Sequence, residues 1–228
     1  MMRAPFMKIS LVICNKNEER SLIKAVRDAA GYVDEIVIVD AHSGNLPPFL
    51  RHQKHIRVIE DNGKGKGAAI RIGMNSVTGD ITVLMDADGS HYVPDIPKLV
   101  RPILEKKADL VLASRTKGGS DELNGSIDKT LRVIGSAIIT QTINSRFHAC
   151  ITDSQNGFRA VLTSVARKLD LHEDIFTIEQ ETIMKALKGG YRVVEIPSHE
   201  HAREEGVSHI HLPTMAWRYV WCLLKNII

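Results

Sequence analysis

Residues 81–91 read Ile-Thr-Val-Leu-Met-Asp-Ala-Asp-Gly-Ser-His, a short apolar run that leads directly into two carboxylates one residue apart. Turn residues bracket it, Thr78-Gly79-Asp80 before and Gly89-Ser90 after, so the run reads as a strand buried on both faces. If the strand continues to Asp88, then Asp86 and Asp88 point to the same side, roughly 7 Å apart at a rise of about 3.3 Å per residue. Two carboxylates that close repel unless a cation or basic groups lie between them. Oxygen ligands at a strand end suit a hard divalent ion, Mg²⁺ or Mn²⁺, completed by water and substrate phosphates. Isolated, the motif would pass for a surface turn. At the C-terminal end of a central strand it opens into the crevice where open α/β sheets bind ligands.

The flanking sequence supplies such a sheet. Residues 8–14 (KISLVIC) form a first strand, followed by a loop at 15–19 and a helix marked by Leu22, Ile23, Val26, Ala29 and Ala30, with Gly31 as its stop. Residues 35–39 (EIVIV) are a second buried strand ending at Asp40, a Pro47-Pro48 loop follows, and residues 56–59 are a third strand. Residues 61–68 (DNGKGKGA) open a helix that ends near Thr78-Gly79. Pro94 begins another helix, reaching to about residue 107 with Ile96, Leu99, Val100, Ile103 and Leu104 inward, and residues 109–113 are a strand. Strand–helix alternation with apolar strands predicts a parallel, doubly wound α/β sheet. Beyond Arg115 the rhythm changes: 116–126 is Gly-rich and polar, 129–147 helical, 152–159 a loop, 175–188 a helix, 191–196 a strand, and 198–210 a polar loop over the site. Without an internal repeat or low-complexity linker, a single domain is the simplest division.

Composition narrows the function. A net charge of +3 over 228 residues, with no run of basic residues, argues against nucleic acid as a partner. The three cysteines, Cys14, Cys150 and Cys222, match neither a disulfide framework nor a zinc site, so a reducing, cytoplasmic setting is expected. Residues 1–7 lack the pattern of a secretory signal, and no window has the 18 consecutive apolar residues of a membrane span. The tail from 212 to 228 carries Trp217, Tyr219, Trp221, Leu224 and Ile228 among Arg218 and Lys225. It reads either as an interfacial helix at a membrane surface or as a helix docked on the core.

In a parallel sheet the strand ends share one edge. That edge gathers Asn17 and Glu18, Asp40, the Gly/Lys loop 64–67 with Lys66, Asp86 and Asp88, and Arg115. Acidic groups, a Gly/Lys turn and a guanidinium on one rim describe a site for a nucleoside diphosphate with a metal. The Gly/Lys turn lacks the spacing of a phosphate-binding loop, and no Gly-x-Gly-x-x-Gly follows the first strand, which argues against P-loop and dinucleotide enzymes. His199-Glu200-His201 lacks the helical i,i+4 spacing of a metal pair and reads as surface loop.

The motifs NEE (17–19), VDAHS (39–43), GKGKGAAIRIG (63–73), MDADGSH (85–91), ASRTKGGS (113–120), TDSQNGFRA (152–160) and EIPSHEHAREEGVSHI (195–210) occur in an order that resembles the family 2 glycosyltransferases. Within that family the chain most resembles the dolichyl-phosphate (polyprenyl-phosphate) mannosyl- and glucosyltransferases, from residue 9 to about residue 211. The resemblance implies a GT-A fold in a single domain, with a nucleotide-sugar-binding half over 1–115 and an acceptor-side half over 116–211; residues 212–228, beyond it, read as an amphipathic C-terminal helix. It implies inverting transfer of a sugar, mannose or glucose, from a GDP- or UDP-sugar to a polyprenyl phosphate. By motif position, Glu18 and Asp40 contact the nucleoside, and Asp86, Asp88 and Ser90 serve Mg²⁺ or Mn²⁺. Arg115, Arg132 and Ser136 bind acceptor and donor phosphates, Arg203 and Ser208 form the late Arg-x4-Ser, and Asp153 lies near the sugar or organises the acceptor side. In the family an acidic residue at the position of Glu179 or Glu181 faces the site; otherwise the two line a solvated helix face. The membrane surface, on its cytoplasmic side, and a separate membrane-anchoring subunit are the further partners this resemblance allows.

The chain departs from the family pattern where Cys14-Asn15-Lys16 replaces Pro-Thr-Tyr, where Ala41 replaces an Asp, and where His209 replaces a Lys. The missing aromatic and Ala41 keep a degenerate nucleotide-sugar-binding subunit in view. A glycosyltransferase with a soluble or glycan hydroxyl acceptor is the other alternative, and Asp153 would be its base. A lipid phosphate is already anionic at neutral pH and needs no strong base, so there the task is electrostatic: neutralising a departing diphosphate.

Overall fold

In a computed structural model of the chain, residues 7–44, 46–122, 127–205 and 212–228 are described. The apolar runs become β1 (Ile9–Asn15), β2 (Glu35–Asp40), β3 (Ile56–Glu60), β4 (Ile81–Asp86) and β5 (Leu110–Ser114). Two further strands, β6 (Arg159–Leu162) and β7 (Val193–Pro197), complete a seven-stranded sheet in the order β3-β2-β1-β4-β6-β5-β7. All pairings are parallel except those of β6, which runs antiparallel between β4 and β5.

Alternation along the strands divides the core. Leu11 and Ile13 face one layer with Ile36, Ile38, Val83 and Met85, covered by α1 (Glu19–Ala29) and α3 (Ile96–Leu104). Val12, Val37, Val39 and Leu84 face the other, covered by α2 (Lys66–Ser76), α7 (Ile178–Lys188) and α8 (Leu212–Ile227), with Ile143 of α5 (Ile127–Phe147). One-turn helices α4 (Arg115–Gly118) and α6 (Thr163–Ala166) follow β5 and β6.

Four expectations change. The loop expected over 152–159 ends in strand β6, which the charged Arg159 disguises: it is buried at 2% exposure. The Gly-rich polar stretch begins as helix α4, because Ser114 Oγ accepts the Lys117 amide as an N-cap. Strand β4 stops at Asp86, since Asp88 Oδ1 accepts the amide (3.0 Å) and hydroxyl (2.7 Å) of Ser90 and turns the chain. The side of Asp88 is therefore set by that turn and not by strand alternation. The tail is docked on the core, and its opposite side stays exposed and apolar. Cys222, Leu223 and Asn226 are buried against α7 and α5, while Trp217, Val220, Trp221 and Leu224 point outward. Leu131, Ile134 and Ile138 of α5 are exposed as well. Among the described residues, no helix is long and apolar enough to cross a membrane.

Candidate active site

The C-terminal ends of β1, β2, β4, β5 and β7 and the start of β6 lie along one edge, and the residues expected on the rim sit there. At β1 and β2 the backbone takes two left-handed turns, Asn17 at φ 60° and His42 at φ 53°. Asp40 joins these turns. Its carboxylate accepts Asn15 Nδ2 (2.7 Å), Ser43 Oγ (2.8 Å) and the Ser43 amide (2.9 Å), and Ser43 Oγ accepts the Asn17 amide (2.9 Å). Asn15, which replaces a family Thr, is a buried clamp that the sequence reading passed over. Beside it a recess of about 250 Å³ is lined by Asp40, His42, Gly44, Leu46, Arg51 and Glu60.

Lys66 occupies the centre of the rim. Its ammonium lies 2.8 Å from both oxygens of Asp86 and 2.8 Å from Glu179 Oε1. Glu179 is thus the acidic residue of α7 that faces the site. Glu181 turns away, accepting the His172 and Glu173 amides. Burial alone would raise the Asp86 carboxyl; Lys66, with His91 Nε2 at 3.4 Å, overrides it and holds that carboxyl well below the usual range. Burial likewise works against the Lys66 charge, and Asp86 and Glu179 together raise its pKa instead.

The Gly/Lys turn does not cradle an anion. The Gly67 and Ala68 amides at the start of α2 donate to the Asp174 carbonyl (2.9 and 3.3 Å). A Cβ on Gly67 would stand 2.3 Å from the Glu173 carbonyl, so this glycine permits close approach of residues 173–175.

On the far side Arg115 is held in a bidentate pair, Nε to Asp153 Oδ2 (2.7 Å) and Nη2 to Asp153 Oδ1 (3.0 Å), with Nη1 3.3 Å from Glu200. Burial would raise Asp153; Arg115 outweighs it and keeps the carboxyl below its ordinary value. Glu195 Oε1 accepts the Thr152 and Asp153 amides (2.7 and 2.9 Å) and fixes that loop. Arg159 reaches the Glu179 carbonyl (2.9 Å) and the Asn156 carbonyl. Arg132 and Ser136 lie one turn apart on α5, both half-buried. The Arg132 charge reaches Tyr219 of α8. Ser208 lies outside the described residues.

Residues 199–205 form a strap across the rim. The His201 amide donates to Ser90 O (2.8 Å) and the Glu204 amide to Asp88 O (2.9 Å). Arg203 Nη1 stands 3.3 Å from Asp88 Oδ2. Glu205 accepts the Arg20 and Ser21 amides (2.8 and 3.0 Å) and so caps α1 from a distance in sequence of 184 residues. Glu205 and Arg159 have no mark as site residues in the sequence, Asn15 stands out there only as a departure from the family pattern and Glu200 only within the His199-Glu200-His201 run; the apolar Ala160-Val161-Leu162 after Arg159 is the one further signal.

Asp86, Asp88 and Ser90 present only oxygen donors, the set that suits Mg²⁺ or Mn²⁺. Their surplus negative charge is legible at Glu18. Burial, then Asp88 and Asp86, push its carboxyl up to about 7, a field that a divalent cation between the aspartates would relieve. The residues fit such an ion.

Comparisons bear on this geometry. The family model described as glycosyl transferase family 2 matches residues 10–169. The low-salt glycan biosynthesis hexosyltransferase Agl6 of Haloferax volcanii is 27% identical over 224 residues, which cover 96% of this chain and 53% of that protein. The chain thus spans about half the length of that relative. The dolichol-phosphate mannosyltransferase of Pyrococcus furiosus is 30% identical over 232 residues, covering 96% of this chain and 64% of that protein. Among solved structures, glucosyl-3-phosphoglycerate synthase from Mycobacterium tuberculosis, in complex with Mn²⁺, UDP-glucose and phosphoglyceric acid, superposes with a TM-score of 0.70 at 18% identity. It covers 97% of this chain and 80% of that one. That likeness establishes a shared fold.

Proposed function

The chain belongs to glycosyltransferase family 2, and from that premise we propose that it transfers a hexosyl group from a nucleoside diphosphate sugar to a polyprenyl phosphate, with inversion at the anomeric carbon. The observation that carries the acceptor assignment is the bidentate Arg115–Asp153 pair. A hydroxyl acceptor needs a carboxylate free to take its proton. The carboxylate that could do so on this side is clamped by a guanidinium and has its basicity lowered. A phosphate acceptor needs no base. Its anionic oxygen attacks the anomeric carbon, the bond from that carbon to the diphosphate oxygen breaks, and the nucleoside diphosphate leaves with the electron pair. No proton changes hands.

What such a transfer needs is positive charge that is oriented before the substrates arrive. Arg115, with its Nε–Nη2 edge held by Asp153 and its Nη1 facing Glu200, keeps one N–H on each terminal nitrogen for a phosphate oxygen, and Arg203 stands beside Asp88. Lys66 keeps Asp86 ionised and in position. Asp86, Asp88 and Ser90 would hold Mg²⁺ or Mn²⁺, which supplies charge to the departing diphosphate. The recess beside Asp40, bounded by His42 and Arg51, has the size and polar lining for a nucleoside. In this reading Asp153 is a positioning residue for Arg115.

The exposed apolar sides of α5 and α8 fit the same reading, because a polyprenyl acceptor resides in a bilayer and the enzyme must meet it there. The name of one relative, a dolichol-phosphate mannosyltransferase, supports a lipid-phosphate acceptor, the name of the other supports hexosyl transfer, and the Mn²⁺ and UDP-glucose bound by the structural neighbour support donor and metal class.

The test incubates protein with radiolabelled GDP-mannose, UDP-glucose or UDP-N-acetylglucosamine and Mn²⁺, with and without a short polyprenyl phosphate. Label that becomes chloroform-extractable only with the lipid phosphate supports the proposal. Transfer confined to the aqueous phase would overturn the acceptor assignment, and donor binding without turnover would overturn the activity.

A further inference from the structure

We propose that Asp121, His199 and His201 form a second metal site, for Zn²⁺ or a similar borderline transition ion, on the outer face of the strap and separate from the oxygen-donor rim. The sequence alone reads His199-Glu200-His201 as surface loop, since two histidines i,i+2 cannot meet on a helix. The strap is extended at this point, though. Glu200 points inward to Arg115, so its neighbours His199 and His201 both point outward. The segment 118–121 comes up against them: the Glu200 amide donates to Gly119 O (3.1 Å) and the Asp121 amide to Glu200 O (2.9 Å).

The three side chains bring one donor atom each within 4.8 Å of one another. An ion with metal–ligand bonds of about 2.0–2.1 Å in tetrahedral geometry holds its donors roughly 3.3 Å apart. His199 Nε2 is already 3.1 Å from Asp121 Oδ1, while His201 Nδ1 stands 3.9 Å from the other oxygen, Oδ2, so the exposed His201 ring moves closer to complete the set. Two imidazoles and a carboxylate are a set that zinc favours and that Mg²⁺, which prefers oxygen, does not.

The surroundings of His199 are those a cation would use. His199 Nδ1 lies 3.1 Å from the Gly118 carbonyl, which can only accept, so Nδ1 carries the proton. In the neutral ring Nε2 then aims its lone pair at a carboxylate oxygen, an acceptor facing an acceptor. Two things satisfy it: a second proton on the ring, which the Gly118 carbonyl and Asp121 both favour, or a metal ion in that proton's place, for which a ring nitrogen anchored on a backbone carbonyl is the usual outer support. The approach of the two segments is built in: a Cβ on Gly118 would stand 2.3 Å from the Ser198 backbone. Because Glu200 and Arg203 lie on the same strap, an ion there would fasten residues 118–121 to the segment that orients Arg115 and flanks Asp88.

The test uses tag-free, full-length protein, stripped of metal by chelation and titrated with Zn²⁺ against a chromogenic zinc indicator. Co²⁺ serves as a spectroscopic probe of ligand geometry. The expected result is one tight equivalent in the wild type and in Asp88→Asn, with tetrahedral Co²⁺ bands and a Zn²⁺-induced rise in Tm. Affinity should fall roughly 100-fold or more in His199→Gln, His201→Gln and Asp121→Asn, beyond the roughly 10–100-fold that losing an outer partner costs. If wild type takes up no equivalent, or the three variants bind as tightly as wild type, the site is refuted. Loss of the equivalent in Asp88→Asn alone would assign the metal to the rim instead.

Discussion

Lys66 is the residue whose removal is most informative. It is 15% exposed and is in contact with Asp86 and Glu179 together. Lys66→Met leaves the buried Glu179 and the half-buried Asp86 without the ammonium between them, a change that costs up to about 3–5 kcal/mol where one partner of a buried pair is removed. Urea unfolding should show that loss, and Lys66→Met/Glu179→Leu should recover part of it; equal losses in both would mean that Glu179 is not part of the pair. Asp153 gives a prediction in pH. Its folded pKa is depressed by Arg115, so it contributes stability that is complete above the unfolded value of about 3.9 and is lost as pH falls through the folded value. Asp153→Asn should therefore be less stable than wild type at pH 7, by roughly 1.5–3 kcal/mol for a hydrogen bond to a charged group. The gap should narrow in urea titrations carried to progressively lower pH below 3.9; a gap independent of pH would mean that the carboxylate is not held by Arg115. Asp40, Asp86 and Arg115 are legible in sequence because each sits at a strand end or directly after one, which locates it without knowledge of contacts; Asp153, between α5 and β6, is located only by the family motif around it. Glu200, Arg203 and Glu205 act on partners 85 to 185 residues away, and local pattern carries no record of such distances.

At the scale of elements, the periodicity of α8 is the feature with most consequence. Trp217, Val220, Trp221 and Leu224 recur at helical spacing on the side away from Cys222, and Leu131, Ile134 and Ile138 do the same on α5, which packs beside it. Two adjacent helices with outward apolar faces make one surface, suited to the acyl–headgroup boundary where tryptophan settles. Trp217→Gln/Trp221→Gln should abolish sedimentation with anionic liposomes and change the unfolding free energy by no more than about 0.5 kcal/mol, the range of surface substitutions. Unchanged sedimentation would show that this surface does not meet lipid. The sequence offered docked helix or interfacial helix as alternatives because it shows how wide the apolar sector is, and not which part of that sector the core consumes. Strand β6 was missed for a related reason. Four residues beginning with a buried arginine carry too little period to register, and Arg159 belongs in the core only because the carbonyls of Asn156 and Glu179 are there to receive it.

Over the whole molecule, the proposed division into a donor half and an acceptor half is not reflected in the sheet. β5 closes residues 1–115, yet among the described residues its ladder partners are β6 and β7, both from beyond residue 115. β6 is also the neighbour that covers β4, the strand that ends at Asp86. A fragment of residues 1–115 would thus retain β3-β2-β1-β4, with the edge of β4 bare and β5 without a partner. Unpaired backbone groups along a buried, apolar strand such as Leu110–Ser114 are costly, and a bare apolar edge invites association. The expected outcome is that the fragment shows no cooperative thermal transition and aggregates, whereas the full chain unfolds in one transition seen alike by circular dichroism and by the fluorescence of Trp217 and Trp221. The shared transition follows because α8, which carries both tryptophans, is packed on α7 and α5 over the same core layer as β1 and β4. Were the fragment to fold alone, or the tryptophan signal to change well before the sheet, the acceptor side would be a separate folding unit, and Arg115, Glu200 and Arg203 would be oriented by a movable attachment and not by the scaffold that holds Asp86.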